Sequence, residues 1–309
     1  MSDIKHLSIL GHGLDRRAFL GRSLAAAAAV GMSGRLVGAA PVSAKRPPVC
    51  AFIKFVQSLS YDDMAAGIAE IGFDGIESTV REGGHVQPER VEDDLPKQLE
   101  AVKKQGMDIT IMCTDVLGLD QPLTEKVLRT GASLGIKKYR MGFYRYDPKR
   151  GVMEQLSEIR PRLKELAALN RELGLAAVYQ NHSGADFVGA PIWDLRMLLE
   201  GIPTSEVGSA FDIRHATVEA GLAWPLNYDV IKPHIGAVFA KDFVWDGKKA
   251  KHVPLGQGRV DPEFFTMHLN SGIDCPVSLH VEYLGEGDAQ ENMAALKRDY
   301  GVLSKWLKR

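Results

Sequence analysis

The chain has 309 residues, of which 45% are hydrophobic and 25% charged, an ordinary balance for a folded soluble protein with a substantial core. Its formal net charge of -1 argues against nucleic acid as a partner, because phosphate binding asks for a basic face. Cys50, Cys113 and Cys275 stand far apart without CxxC or Cys/His spacing, which excludes a structural zinc finger. They fall in or beside strand-like runs and read as buried, inert thiols.

Taken in chain order, the first element is a leader. Asp15-Arg16-Arg17-Ala18-Phe19-Leu20 precedes an apolar run at 25–30, then Gly31, Gly34, Gly38 and Val42-Ser43-Ala44. A charged region, an apolar region and a small-residue cleavage site, in that order, are the layout of a secretory signal. The paired arginines before Phe-Leu resemble a twin-arginine signal, with Asp15 where Ser or Thr is commoner. Residues 1–44 are therefore expected to be a signal peptide cut after Ala44, and 45–309 a single exported domain, periplasmic or secreted. The alternative is a leader that is never removed. The apolar run is too short to span a bilayer, and no later segment is long and apolar enough to do so.

Beyond residue 48 one phrase repeats: amphipathic helix, glycine, short apolar strand, polar loop. Gly72, Gly106, Gly135, Gly174 and Gly272 each follow a helical pattern and precede a strand-like run, as suits a left-handed helix end. The predicted strands are 49–56, 73–79, 107–114, 138–143, 175–181, 208–213, 236–243 and 276–282. Most are continuously apolar, as in a parallel sheet covered by helices. Between them, Leu156, Ile159, Leu163, Leu166 and Leu173 form one helical stripe, and Met293, Leu296, Tyr300 and Leu303 another. Ser60-x-x-Asp63 marks a helix start. Eight strands alternating with helices over about 260 residues favour a closed (β/α)8 TIM barrel. An open doubly wound sheet is the alternative, weakened by the lack of a GxGxxG turn after the first strand.

In such barrels the reactive groups sit where strands run into the following loops. That rule gathers Glu77, Thr114-Asp115, Tyr144-Arg145, Gln180-Asn181-His182, Asp212-x-Arg214-His215, Lys241-Asp242 and His280-x-Glu282. Charges placed in apolar strands are costly unless paired or metal-bound. Oxygen and imidazole donors of this kind suit a divalent ion such as Mn, Mg, Co or Zn. Each candidate also has a structural reading: Glu77 pairing with Arg81, His182 bonding a backbone carbonyl, Lys241-Asp242 as an internal ion pair. Gly256-Gln257-Gly258 resembles an anion-binding loop only loosely.

The phrases Gly72-Phe73-Asp74-Gly75-Ile76-Glu77, Tyr179-Gln180-Asn181-His182, Phe211-Asp212-Ile213-Arg214-His215-Ala216, Ala240-Lys241-Asp242, Leu255-Gly256-Gln257-Gly258-Arg259-Val260-Asp261 and Ser278-Leu279-His280-Val281-Glu282-Tyr283 resemble the sugar phosphate isomerase/epimerase superfamily. These are xylose isomerase-like barrels, which also include endonuclease IV. The resemblance covers essentially the whole chain after the leader. In the epimerase branch it implies a metal held by Glu, Asp, His and Glu on strands five to eight, the two Glu residues also moving protons. Here the strand-six Asp is Asp212 and His215 matches a substrate-contacting His, but the strand-five Glu becomes Gln180 and the strand-seven His becomes Phe239 or Ala240.

A glutamine does not titrate near neutral pH, and Phe or Ala ligates nothing, so the two-Glu mechanism is not carried over intact. A shifted metal set is expected instead: Gln180 or His182, Asp212, His280 and Glu282. The expected activity is isomerisation or epimerisation of a free sugar or sugar derivative by proton abstraction next to a carbonyl. Glu282 serves as base, His280 or His182 as acid and Lys241 as the group that stabilises developing charge. Glu77, Arg145, His215 and Asp242 are expected to bind substrate. A non-catalytic carbohydrate-binding barrel and a lyase or hydrolase on a modified sugar are the rivals, and self-association into a homo-oligomer stays open.

Overall fold

The computed structural model describes residues 46–285 and 287–308, so the expected leader and its cleavage point lie outside the described residues. From Val49 onward strands and helices alternate: β1 (Val49–Phe52), α1 (Tyr61–Ile71), β2 (Gly75–Thr79), α2 (Val91–Lys104), β3 (Asp108–Cys113), α3 (Thr124–Ser133), β4 (Lys138–Arg140), α4 (Val152–Leu173), β5 (Ala176–Gln180), α5 (Trp193–Leu199) and β6 (Val207–Asp212). The second half runs α6 (Ile213–Ala220), α7 (Trp224–Ile231), β7 (Ile235–Ala240), β8 (Asp242–Asp246), β9 (Lys249–Val253), α8 (Glu263–Asn270), β10 (Val277–Leu279) and α9 (Ala289–Trp306).

Eight of these strands close a parallel barrel in the order β1, β10, β7, β6, β5, β4, β3, β2. Closure is made by β1, whose Cys50 pairs with Ser278 of β10 on one side and Gly75 of β2 on the other. The helices bury the stripes expected of them: Leu156, Ile159, Leu163 and Leu166 of α4 are buried, as are Leu296 and Leu303 of α9. Ser60 caps α1 by accepting the Asp63 amide at 3.1 Å. All five helix-ending glycines adopt positive φ, from 65° at Gly174 to 105° at Gly72. The three cysteines are free thiols, buried as expected.

Most strands are shorter than predicted, and the predicted seventh strand divides. It leaves the barrel after Ala240, and Asp242 opens an antiparallel hairpin, β8 with β9. The cause is Asp242 itself. Its carboxylate accepts the amides of Gly256, Gly258 and Val260 at 2.9–3.0 Å, drawing the later loop across the strand end.

Inside the barrel, Cys50, Ile111, Val178, Ala210, Ala237 and Phe239 form a separate buried cluster that plugs the lumen. Strand side chains alternate in direction, so the residue two places further on points the same way, one layer nearer the carboxyl end. Val178 leads to Gln180, Ala210 to Asp212, and Phe239 to Lys241. The polar layer thus lies directly above an apolar floor.

Candidate active site

That polar layer closes on itself. Glu77 Oε2 accepts from His280 Nε2 at 2.9 Å, and His280 Nδ1 lies 3.4 Å from Glu282 Oε1. Glu282 Oε1 and Asp212 Oδ2 each lie 3.1 Å from Lys241 Nζ. Gln180 Nε2 donates to Asp212 Oδ2 at 2.6 Å, while its Oε1 accepts from Arg140 Nη1 at 3.3 Å. Arg140 Nη1 completes the ring 3.3 Å from Glu77 Oε1. Seven side chains from β2, β4, β5, β6, the end of β7 and the end of β10 thus form one circuit of alternating partners. Burying charge is tolerable here because nearly every charge has an opposite neighbour.

The ring fixes its own protonation. Burial alone would raise the Glu77 carboxyl, but Arg140, His280 and the Ser278 hydroxyl outweigh it and hold the group at about 2. Ser278 Oγ donates to Glu77 at 2.5 Å. Glu282 also sits well below the usual carboxylate range: burial opposes this, while Lys241, His280 and His252 prevail. Both are carboxylates at neutral pH.

Beside the ring stand two histidines whose rings are 4.0 Å apart. His215 Nδ1 accepts from the Ser183 amide at 3.1 Å and from Arg214 Nη1 at 2.9 Å, so its proton lies on Nε2. That Nε2 is buried without a hydrogen-bond partner, 3.7 Å from Asp212 Oδ2. His182 is the converse. Its Nδ1 faces the Ser183 carbonyl at 2.9 Å, which can only accept, so Nε2 carries the free lone pair. Burial, then the charge of Lys241, lowers His182 to about 4. A neutral His182 with a bare Nε2 is a proton acceptor at rest, the reverse of the acid role expected for it. The pair therefore offers one donor and one acceptor.

Two expected substrate contacts have partners within the protein. Asp242 spends both oxygens on four backbone amides, those of Phe243, Gly256, Gly258 and Val260, so it binds its own chain. The Gly256-Gln257-Gly258 turn does hold an anion, and the anion is this carboxylate. A Cβ on Gly258 would fall 2.2 Å from Asp242 Oδ1, so only glycine permits the approach. Arg145 is exposed and paired with Asp186 at 2.7 Å, lying 3.8 Å over the Phe187 ring, which in turn stands 4.2 Å from His182.

A family model described as the xylose isomerase-like TIM barrel matches residues 65–299. The chain belongs to the xylose isomerase-like TIM barrel family. Among solved structures it is similar to a putative xylose isomerase from Rhodospirillum rubrum at 18% identity, with a TM-score of 0.67 and 84% of this chain and 99% of that one covered. It is similar to the 3-keto-D-glucoside 4-epimerase YcjR from E. coli at 16% identity, TM-score 0.62, with 85% and 99% covered. A third is the probable 3-DHS dehydratase AsbF from Bacillus anthracis, at 16% identity, TM-score 0.64, with 84% and 98% covered. These likenesses establish the fold. No curated protein matches the chain in sequence.

Within this family a divalent ion is the expected cofactor, and the donor set tests the expectation. Among the described residues no group of three His, Cys, Asp or Glu side chains is arranged to hold one. The reason is chemical. Gln180 turns its amide nitrogen, a donor, toward Asp212; Lys241 stands between Asp212 and Glu282; His280 has a carboxylate at each ring nitrogen. Phe239, where a histidine would be expected, packs its ring 4.6 Å from that of His280. The expected set Gln180, Asp212, His280 and Glu282 is brought together, and His182, the alternative to Gln180, keeps a free Nε2 lone pair, but Lys241 holds both carboxylates and His280 lies between two of its own. The residues do not fit the ion.

Sequence reading missed Arg140, Ser183 and His252. Arg140 ends β4, whereas the predicted strand ran on to 143 and placed it in the interior; its Nη2 donates to Cys113 Sγ at 2.6 Å. A lone arginine in an apolar strand is the signal that could have found it. His252 rises on the hairpin, outside the strand-end rule, with Nε2 3.7 Å from Glu282 Oε2.

Proposed function

We propose that this chain is an exported enzyme that removes a proton next to a carbonyl in an uncharged sugar or sugar derivative. Isomerisation or elimination fits best. The observation that carries this reading is the sharing of Lys241 between Asp212 and Glu282. A carboxylate stabilised by an ammonium is a weak base. A substrate carbonyl oxygen that takes a hydrogen bond from Lys241 Nζ changes two things at once. It is polarised toward the enediolate, and it loosens the ammonium's hold on Glu282 Oε1, raising that group's basicity. Glu282 then accepts the proton from the adjacent carbon, Lys241 stabilises the negative oxygen, and the proton returns to a neighbouring carbon or leaves with a hydroxyl as water. Gln180 removes the second titrating group of a two-carboxylate epimerase, which favours chemistry on one face.

Access supports the same assignment. The Glu282 side chain is 22% exposed and that of His252 27%, against 4% for Lys241 and none for Asp212, so substrate would enter over Glu282. His215 Nε2–H and His182 Nε2 suit a hydroxyl, which both accepts and donates. Substrate charge follows from the fixed charges. Glu77, Asp212 and Glu282 face Arg140 and Lys241, and Arg214 is turned to Ser183, His215 and the Ala250 carbonyl. Arg140 and Lys241 are each held by carboxylates, which leaves them poorly placed to take a phosphate.

The test is a panel of free and phosphorylated aldoses, ketoses and keto-sugars, followed by NMR for new products. Conversion of an uncharged member, with the phosphorylated ones inert, is the expected result. Binding without conversion would favour a carbohydrate-binding barrel, the second reading, which the self-satisfied ring also supports.

A further inference from the structure

We propose that this centre operates without a resident metal ion because Lys241 supplies the positive charge in its place. The ammonium lies 3.1 Å from Asp212 Oδ2 and 3.1 Å from Glu282 Oε1, the only two carboxylates among the four expected ligands. The other two are also committed. Gln180 presents N–H to Asp212, and the His280 nitrogens face Glu77 at 2.9 Å and Glu282 at 3.4 Å. Beneath them the Phe239 and Phe52 rings pack against His280, with centroids 4.6 and 4.4 Å away, on the apolar side of the polar layer.

Charge gives an independent argument. The site's three carboxylates, Glu77, Asp212 and Glu282, already face Arg140 and Lys241, with His280 between two of them, so an added divalent ion would bring two further positive charges into a buried site. Such an addition is costly in a desolvated site. Removing the ammonium reverses the balance. Asp212 and Glu282 would then share a space with no cation between them and His280 beside it, a carboxylate and imidazole set that suits Mn or Zn. The inference holds whichever reaction the ring performs, and its failure would leave the proton-abstraction reading standing.

The experiment uses the purified full-length chain and its Lys241→Met variant, each measured for bound Mn, Co, Ni, Zn and Mg by elemental analysis and for thermal stability. Wild-type protein is expected to hold only traces of these ions, with a melting temperature unmoved by EDTA or added Mn2+. Lys241→Met is expected to melt lower, and Mn2+ or Zn2+ at a hundredfold excess over its dissociation constant should raise its melting temperature by roughly 5 °C or more. Stoichiometric metal in the wild type, or a clear drop with EDTA, would overturn the proposal. A folded Lys241→Met indifferent to both ions would overturn the assignment of Lys241 to the ion's place. The wild-type measurements decide alone if the variant does not fold.

Discussion

At the scale of single residues, the ring is held by pairs in which each member makes the other tolerable. Glu77 is fully buried, and its charge is borne by Arg140, His280 and Ser278. Arg140→Met takes away one partner and leaves the carboxylate short of compensation. Equilibrium unfolding in urea should show a loss of about 3–5 kcal/mol, the usual cost of stranding a buried charge. The double variant Glu77→Gln/Arg140→Met should recover part of that loss, because it strands nothing. Most of the ring was legible in the sequence as polar residues ending apolar strands: Glu77, Gln180, Asp212, Lys241, His280 and Glu282. What sequence could not reveal was the partner of each. Gln180 read as a lost base, whereas its amide joins Arg140 to Asp212. His182 read as an acid, and the Ser183 carbonyl that sets its tautomer is a backbone group without a sequence signature.

At the scale of elements, the hairpin after β7 and the loop at 254–260 depend on one carboxylate. Asp242 accepts four backbone amides, bonds strengthened by its charge. Asp242→Ala should cost roughly 3 kcal/mol in urea unfolding and open the 254–260 loop to proteolysis, with the barrel retained. The hairpin matters to the site because it carries His252 toward Glu282 and because Arg214 Nη2 ties it to α6 through the Ala250 carbonyl at 2.8 Å. The sequence hid this element. Residues 236–240 are apolar and Phe243 continues the pattern past Lys241-Asp242, while the bend there is imposed by amides some 14–18 residues later. Helix ends, by contrast, were legible because glycine and Ser60 act locally.

At the scale of the whole molecule, closure of the barrel was foreseeable from eight strand–helix repeats, since each glycine-ended helix and apolar strand is a short-range signal. Burial of titratable groups makes stability depend on pH. His182, His252 and His268 are lowered from 6.5 to about 4, chiefly by burial, so the folded state binds their protons less well than the unfolded chain does. Their contribution is complete above pH 6.5 and lost as pH falls toward 4. Glu77, lowered from 4.5 to about 2, contributes above 4.5 and loses that contribution on the way to 2. Asp194 and Asp299, raised by burial, act in the opposite sense and soften the second fall. Denaturation midpoints measured across pH should decline below 6.5 and continue to decline below 4.5.

Abstraction of a proton by Glu282 beside the Lys241 ammonium is tested most directly by hydrogen exchange on the substrate. An uncharged sugar or keto-sugar bound by the protein is incubated with it in D2O and followed by 1H NMR. Deuterium is predicted to enter at the carbon next to the carbonyl, with the rate falling roughly 10²- to 10⁴-fold for Glu282→Gln, the span of a lost general base. Tight binding with no deuterium uptake, or uptake equal in wild type and Glu282→Gln, would contradict it.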